Sequence, residues 1–564
     1  MTSHQDDVKP QLNMEQENKS TIPMTSASVP YQHVPHSSAL FLDYLYHFDR
    51  VSRFYNAPPF SPSSYQSVAS QLRGFEWKRE ELCAILTRQN QAFGCGAATL
   101  ENLERLAKSG TLAVVTGQQV GLFSGPAFTL FKALTTVRLA NYLTEQGIPV
   151  VPVFWLASQD HDLAEVAQVG TLDDEYNLIS LADHGDSPSP RSPVGNVRLT
   201  DESAQALARL ESSLPAGASS QALLADLRET YAPGATWVEA FGKFLARVLS
   251  RWGVVLLNPL DPAVHHLSAQ VYQQAFERAP ELRGKLLERS QVLIGNGYHA
   301  QVKVAEDSTL LFVTRKGSRL PVHEHDREYS VEGEGHSRLE DFRQELSDGA
   351  IAFSPNALLR PLVQDTLLPT VAYVAGPSEL AYLAQAQVLY QAFGRPQPVV
   401  FPRASFTLVD RRSQKLLEKY QLSLEDVWLG EQHLGEKIAA AGLGEGWADR
   451  FTQAQADMTA LLERLRSDIE RLDPTLLDAL QHAQEKILYQ MDRLRGKVSR
   501  AGLARSEVLA RHAQALSRFL MPQKDLQERQ VGGAYFLGRA GYELLPALLS
   551  QIRIDSPEHV VASL

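Results

Sequence analysis

The sequence predicts an α/β protein with a doubly wound parallel sheet, interrupted by two inserted modules and followed by a C-terminal α-helical coiled coil. Three observations carry this. Five short apolar runs, too continuous to be half-exposed strands, are separated by stretches of helical periodicity. Two polar, Pro- and Gly-containing stretches break that alternation. From residue 411 onward charged residues flank a narrow apolar stripe, as at a coiled-coil seam.

Residues 1–30 mix Gln, Asn, Ser, Thr and acids without periodicity and read as a disordered leader, with order beginning at Tyr31. Residues 31–182 hold N-terminal helices (40–51, 68–88, 100–109) and the first half of the core. A strand over 112–116 runs into the loop Gly117-Gln118-Gln119-Val120-Gly121-Leu122-Phe123-Ser124-Gly125. Pro126 suits the first turn of the next helix, with Ser124 or Gly125 as its cap. That helix should end at Gly147, and 150–156 is a second buried strand, giving a right-handed βαβ unit. Residues 183–235 open on Ser187-Pro188-Ser189-Pro190 and form a helical insertion. In 236–294 the core resumes, with the capping box Thr236-Trp237-Val238-Glu239 before a helix and a strand at 254–257. Residues 295–350 alternate as hairpins of a second insertion, and 351–410 return to the core with strands at 369–375 and 398–401 around a helix over 380–393. Over 411–525 the stripe Met458, Leu462, Leu465, Ile469, Leu472 continues through Leu476, Leu480, Ile487, Met491 and Leu494 as a coiled-coil arm. The arm pairs either with itself as a hairpin or with a second copy, and 526–564 come back to the core.

Composition narrows the function. The 564 residues carry 54 Lys and Arg against 65 Asp and Glu, a net charge of −11, which opposes nucleic-acid or anionic-membrane partners. Cys83 and Cys95 alone make no disulfide framework or zinc ribbon, and no apolar run spans a bilayer. A cytoplasmic location is expected.

Chemistry-bearing residues gather where the predicted strands end. The 117–125 loop is neither a Walker loop nor the dinucleotide fingerprint, since its glycines are four apart. At a strand-to-helix edge its N–H groups suit a phosphate or carboxylate, and a glycine-permitted tight turn is the equal alternative. Thr116, Gly117, Gln118, Gln119, Gly121, Ser124 and Gly125 are therefore the candidate contacts to such an anion, with Lys132, two turns into the helix, either reaching back as a neutralising cation or solvated. Asp160, His161 and Asp162 follow the second strand; two carboxylates around an imidazole can hold a general base, or cap the next segment. Gly376, Ser378, Glu379, Tyr382 and Gln385 open a later helix and suit an amino group or, equally, a capping role, and Asn356 with Arg360 suits a carboxylate or a structural salt bridge. His323-Glu324-His325-Asp326 sits in a charged stretch and reads as a solvated loop, so no metal is assigned.

Taken together, these motifs resemble the bacillithiol-biosynthesis cysteine-adding enzymes, the cysteine ligases of that pathway. The resemblance rests on Val115-Thr116-Gly117-Gln118-Gln119-Val120-Gly121-Leu122, Ser124-Gly125-Pro126 with Lys132, 152–162, Phe353-Ser354-Pro355-Asn356 with Arg360, Ala375-Gly376-Pro377-Ser378-Glu379, and Leu526-Gln527-Glu528-Arg529. It runs from about Leu40 to the end. It implies a Rossmann-like core similar to class I aminoacyl-tRNA synthetases, two connecting insertions and a coiled coil that makes a homodimer. It also implies an amide-forming reaction between cysteine and glucosaminyl-malate, with ATP or ADP as nucleotide. The class I His-x-Gly-His signature is replaced by 116–125, which leaves AMP and ADP both open as product. Two other readings fit the residues: a non-catalytic nucleotide-binding coiled-coil scaffold, and a nucleotidyltransferase acting on another small acid.

Overall fold

Five apolar segments do form one parallel sheet. In a computed structural model, which describes residues 24–326, 328–348, 352–442, 447–504 and 506–564, the strands are Leu112–Gln118, Val150–Leu156, Val255–Leu257, Thr370–Ala375 and Val399–Pro402. All neighbours run parallel, and the order across the sheet is fifth, fourth, first, second, third. Their residues are buried nearly without interruption because helices cover both faces, hence runs in place of alternation. Pro152 precedes the first residue paired to Val255–Leu257, so its missing N–H forfeits no bond on that side. Winding reverses between Leu112–Gln118 and Thr370–Ala375, which opens a crevice at the carboxyl ends of those two strands.

The helix Phe128–Glu145 connects the first two strands, buried along most of its length. It starts later than the sequence suggests. Pro126 lies outside it, bridged to Gly532, and the N-cap is Ala127, whose N–H donates to Val531 O at 2.9 Å. Ser124 and Gly125 instead belong to the turn before it, a placement set by the C-terminal segment docking 400 residues later in sequence. The capping box at Thr236 is present: its hydroxyl accepts from Glu239 N, and the Glu239 carboxylate accepts from Thr236 N.

The leader expectation needs correction. Residues 1–23 lie outside the described residues, but Ser26–Pro30 is a strand, antiparallel to Glu558–Ser563, which itself pairs parallel with Ser405–Val409. Order thus begins before Tyr31, because the C-terminal strand offers an edge no local pattern announces. The first insertion holds helices Asp201–Ser212 and Ala218–Thr230, preceded by the hairpin Gln168–Leu172 and Leu178–Ala182. The second insertion is an antiparallel five-stranded sheet whose last strand, Phe353–Pro355, lies past residue 350, where the sequence reading returned to the core. His323, Glu324 and His325 are on the strand Ser318–His325, not in a solvated loop, and buried Glu324 lies 3.0 Å from Arg283. Among the described residues no cluster of His, Cys, Asp and Glu has metal-binding geometry, and no helix is long and apolar enough to cross a membrane.

The coiled-coil arm is an antiparallel hairpin, Trp447–Leu472 and Leu477–Ala504, turned where Asp473 caps the Pro474–Leu476 turn, with Gln455 bonded across to Asp492. The other helices of 411–525 join the main core through Leu416, Tyr420, Trp428, Leu516 and Phe519.

Candidate active site at the reversal of the sheet

The crevice is a cavity of about 800 Å³, and residues from four distant parts of the chain line it. Gly117, Gln118, Gln119, Gly121 and Gly125 come from the first strand and its loop; Asp160 and His161 follow the second strand. Asn356 follows the strand Phe353–Pro355 of the second insertion, Arg360 opens the helix before the fourth strand, Gly376, Ser378, Glu379 and Tyr382 come from the turn and helix after that strand, and Lys132 from the connecting helix.

Glycine is required in the loop. Gly125 takes φ 69° and ψ −161°, a region essentially reserved for glycine, and a Cβ on Gly121 would stand 2.9 Å from Gly125 Cα. The loop is less free to bind an anion than expected. Ser124 N–H donates to Tyr231 Oη, and Gly125 N–H to Leu122 O.

At the floor, Lys132 is 1% exposed and reaches back to the end of the first strand. Its ammonium donates to Gly117 O, to Gln118 Oε1 at 3.2 Å and to Glu379 Oε2 at 2.5 Å. Glu379 also accepts from Tyr373 Oη and Gly376 N, each at 2.7 Å. Burial pushes the Glu379 carboxyl up, but Lys132 and these donors outweigh it and hold it below its ordinary range. Burial pulls the Lys132 ammonium down, against the pull of Glu379. This ion pair straddles the winding reversal and ties its two strands together.

Among the described residues Arg360 hydrogen-bonds to neutral groups, Gln364 Oε1 at 2.9 Å, Tyr373 Oη at 3.2 Å and Tyr382 Oη at 3.0 Å, with the Glu379 charge acting on it without a bond. A guanidinium so placed keeps its charge available to a carboxylate. Asn356 uses its side-chain carbonyl to cap the N–H groups of Leu358 and Leu359, both at 3.0 Å.

Four sequence candidates do not line the cavity. Asp162 caps the helix Leu163–Val166 by accepting from Glu165 N. Thr116 is buried in its strand, donating to Val374 O at 2.9 Å. Ser124 is buried behind the loop, and Gln385, also buried, ties the second insertion to the core through Val302 and Ser290. The imidazole is therefore not held between two carboxylates. Asp160 Oδ1 accepts from His161 N at 2.7 Å and Oδ2 from Gln119 Nε2 at 2.9 Å, while His161 Nδ1 lies 3.0 Å from Arg319.

Sequence reasoning missed Arg319, Arg403, Tyr373 and Thr129 and gave Arg529, quoted in the closing motif, no site role; all of them line the cavity. Arg403 directly follows the fifth strand, so the edge rule could have flagged it. It pairs bidentately with fully buried Glu528, at 2.6 and 3.0 Å, and Glu528 also accepts from Ser405 Oγ and Phe406 N. Gln527, next to it, bonds Leu408 N, Leu408 O and Phe519 O. These two side chains fix the segment that carries Arg529 to the cavity wall. Arg319 comes from a hairpin of the second insertion, where no local signal marks it.

A parallel sheet wound in two directions, with a charged cavity at its reversal and a C-terminal helical hairpin, defines a Rossmann-like α/β protein with a coiled-coil arm. The chain belongs to the BshC family of bacillithiol biosynthesis: residues 24–404 match its N-terminal Rossmann-like domain and residues 406–564 its C-terminal coiled-coil domain. Relatives bearing the name "Putative cysteine ligase BshC" include those of Koribacter versatilis (37% identical, covering 94% of this chain and 98% of the relative) and Solibacter usitatus (36%, with the same coverage). That of Salinibacter ruber is 32% identical over 93% of this chain and 95% of its own length.

Proposed function

We propose that this chain is a cysteine ligase that joins the carboxyl of cysteine to the amine of glucosaminyl-malate as an amide, with a nucleotide as energy source, in the cavity at the sheet reversal. The observation that carries the reading is the meeting of the glycine loop, Asp160, Glu379 and Arg360 in that single cavity, in a chain similar along its whole core to proteins named cysteine ligases. A carboxylate and an amine do not condense at neutral pH unless the carboxylate oxygen is first made a leaving group, and ATP would supply that activation. The residues fit an anionic group: Thr129, in the first turn of the Phe128–Glu145 helix and fully buried, lines the cavity with an Oγ1 that has no partner among the described residues. Gly117, Gln118, Gln119, Gly121 and Gly125 would shape the nucleotide side. Arg360 would hold a malate carboxylate, with Tyr382 and Asn356 beside it. Glu379, Gly376 and Ser378 would meet amino or hydroxyl groups, and Asp160 would take the amine proton. Pairing of two copies through the arms belongs to the same reading.

The test is consumption of glucosaminyl-malate by the purified protein with cysteine and ATP. Consumption that needs both, with AMP or ADP formed in step, is the expected result. Nucleotide binding that ignores cysteine and the sugar would favour the scaffold reading, and pyrophosphate release without cysteine the nucleotidyltransferase.

A further inference from the structure

We propose that His161 acts in this cavity as a neutral hydrogen-bond donor through Nε2–H, not as a base, and that Arg319 is the positioning residue that fixes it in that form. The inference rests on the reading of the cavity as the ligation centre.

A guanidinium has donors only, so a ring nitrogen 3.0 Å from Arg319 Nη1 must accept. An imidazolium has no acceptor; the ring facing Arg319 through Nδ1 is therefore neutral, with its proton on Nε2. Arg319 has no freedom to withdraw. It is buried, its Nε donates to Ser354 Oγ at 2.9 Å and its Nη2 to Pro355 O at 2.8 Å, and its guanidinium carbon lies 3.7 Å over the Phe312 ring. The charged groups around the imidazole are Arg319, Asp160, Arg191 and Asp162. Burial and Arg319 lower its proton affinity, while Asp160 raises it from 3.7 Å, too far to bond Nδ1.

The ring lines the cavity, and Nε2 has no partner among the described residues. As the amine nitrogen bonds to the acyl carbon, the carbonyl electron pair moves onto the acyl oxygen, where an Nε2–H donor stabilises the charge. The pair returns as the bond to the leaving oxygen breaks, and the amine proton departs to Asp160. A base role would need the lone pair that Arg319 occupies, or the nitrogen that already bears the proton.

Two-bond 1H–15N correlation spectra of the full-length protein labelled at histidine, with His161 assigned by a His161→Gln variant, read the tautomer without any substrate. The expected pattern is an unprotonated Nδ1 and a protonated Nε2 that persist below the ordinary ~6.5, and an Arg319→Gln variant in which the same ring takes up its second proton at a higher pH than in the parent, burial still holding it below the ordinary value. A wild-type ring titrating near ~6.5, or protonated on Nδ1, overturns the inference whatever the activity. In cysteine-dependent turnover, His161→Gln, which retains an N–H, should lose less than about tenfold and His161→Leu about a hundredfold or more. Equal losses of about tenfold or more overturn the donor role. If His161→Leu loses nothing while the tautomer pattern holds, the cavity is not the ligation centre and the reading beneath falls instead.

Discussion

His559 is fully buried between Ser405 Oγ, 2.8 Å from Nδ1, and Thr407 Oγ1, 2.9 Å from Nε2. Burial pulls its pKa down to about 4 from 6.5, so between those values the unfolded chain binds a proton that the folded chain refuses. Stability therefore rises with pH across that window, by about 3 kcal/mol for this residue, and is lost as pH falls from 6.5 toward 4. Urea unfolding at pH ~7 and ~5 should show a steep acid loss that His559→Gln flattens; an unchanged slope in the variant counts against it. The buried pair Lys132–Glu379 gives a second expectation. Lys132→Met leaves Glu379 with Tyr373 and Gly376 only and should cost about 1–3 kcal/mol, below the usual figure for a broken buried pair because Glu379 is 19% exposed. The depressed Glu379 pKa contributes stability above the ordinary 4.5 that fades as pH falls below it. Adding Glu379→Gln should recover much of the loss in chemical denaturation, since no uncompensated carboxylate remains. At this scale the sequence was legible where a residue sits at or follows a strand end: Gly117, Asp160 and Glu379 were named from that position, and Arg360 from its guanidinium on a preceding segment. Arg319 was not, because its place depends on a hairpin folding over the cavity, and Asp162 stayed open between two readings because capping and catalysis call for the same carboxylate; the structure shows the cap.

Elements were legible in proportion to how local their causes are. The five core strands stood out because burial on both faces writes a continuous apolar run, and Thr236–Glu239 because a capping box is complete within four residues. The start of Phe128–Glu145 and the strand Ser26–Pro30 were not, since both are set by the C-terminal segment. The hairpin Gln168–Leu172 shows how tight that docking is: a Cβ on Gly170 would fall 2.0 Å from Gln530 O, and Gly532 N–H donates to Gly170 O at 2.8 Å. Gly170→Ala must push this segment away from the cavity it lines. The expected outcome is a loss of turnover of tenfold or more with a fall of about 1–3 kcal/mol in stability, measured by steady-state kinetics and thermal unfolding. Gly125→Val should act more severely on ligand binding, because it strains the loop itself by about 1–3 kcal/mol. Wild-type nucleotide binding by Gly125→Val would separate the loop from the nucleotide.

Across the whole molecule, the question left by the sequence was whether the arm pairs with itself or with another copy, and the structure gives the first pairing without exhausting the seam. Trp447–Leu472 and Leu477–Ala504 fold on each other, yet Leu461 is 49% exposed, Leu465 48%, Leu494 55% and Leu472 80%. A two-helix hairpin has one inner stripe, and leucines left outside it remain an apolar surface that one chain alone cannot cover. Most of them are about half exposed, so covering each is worth about 1–2 kcal/mol, and only the sum over both arms offsets the cost of association and holds two copies together. The proposed dimer should therefore respond to Leu461→Glu with Leu465→Glu, which lie one helical turn apart, by moving to monomer in sedimentation velocity. The helix should persist in circular dichroism, because Met458, Leu462 and Ile469 still face inward, half-buried. Thermal unfolding of the core should shift little, as these leucines lie outside its buried cluster. A variant that sediments as the parent does would place the contact between copies elsewhere, and the exposed leucines would then need another occupant.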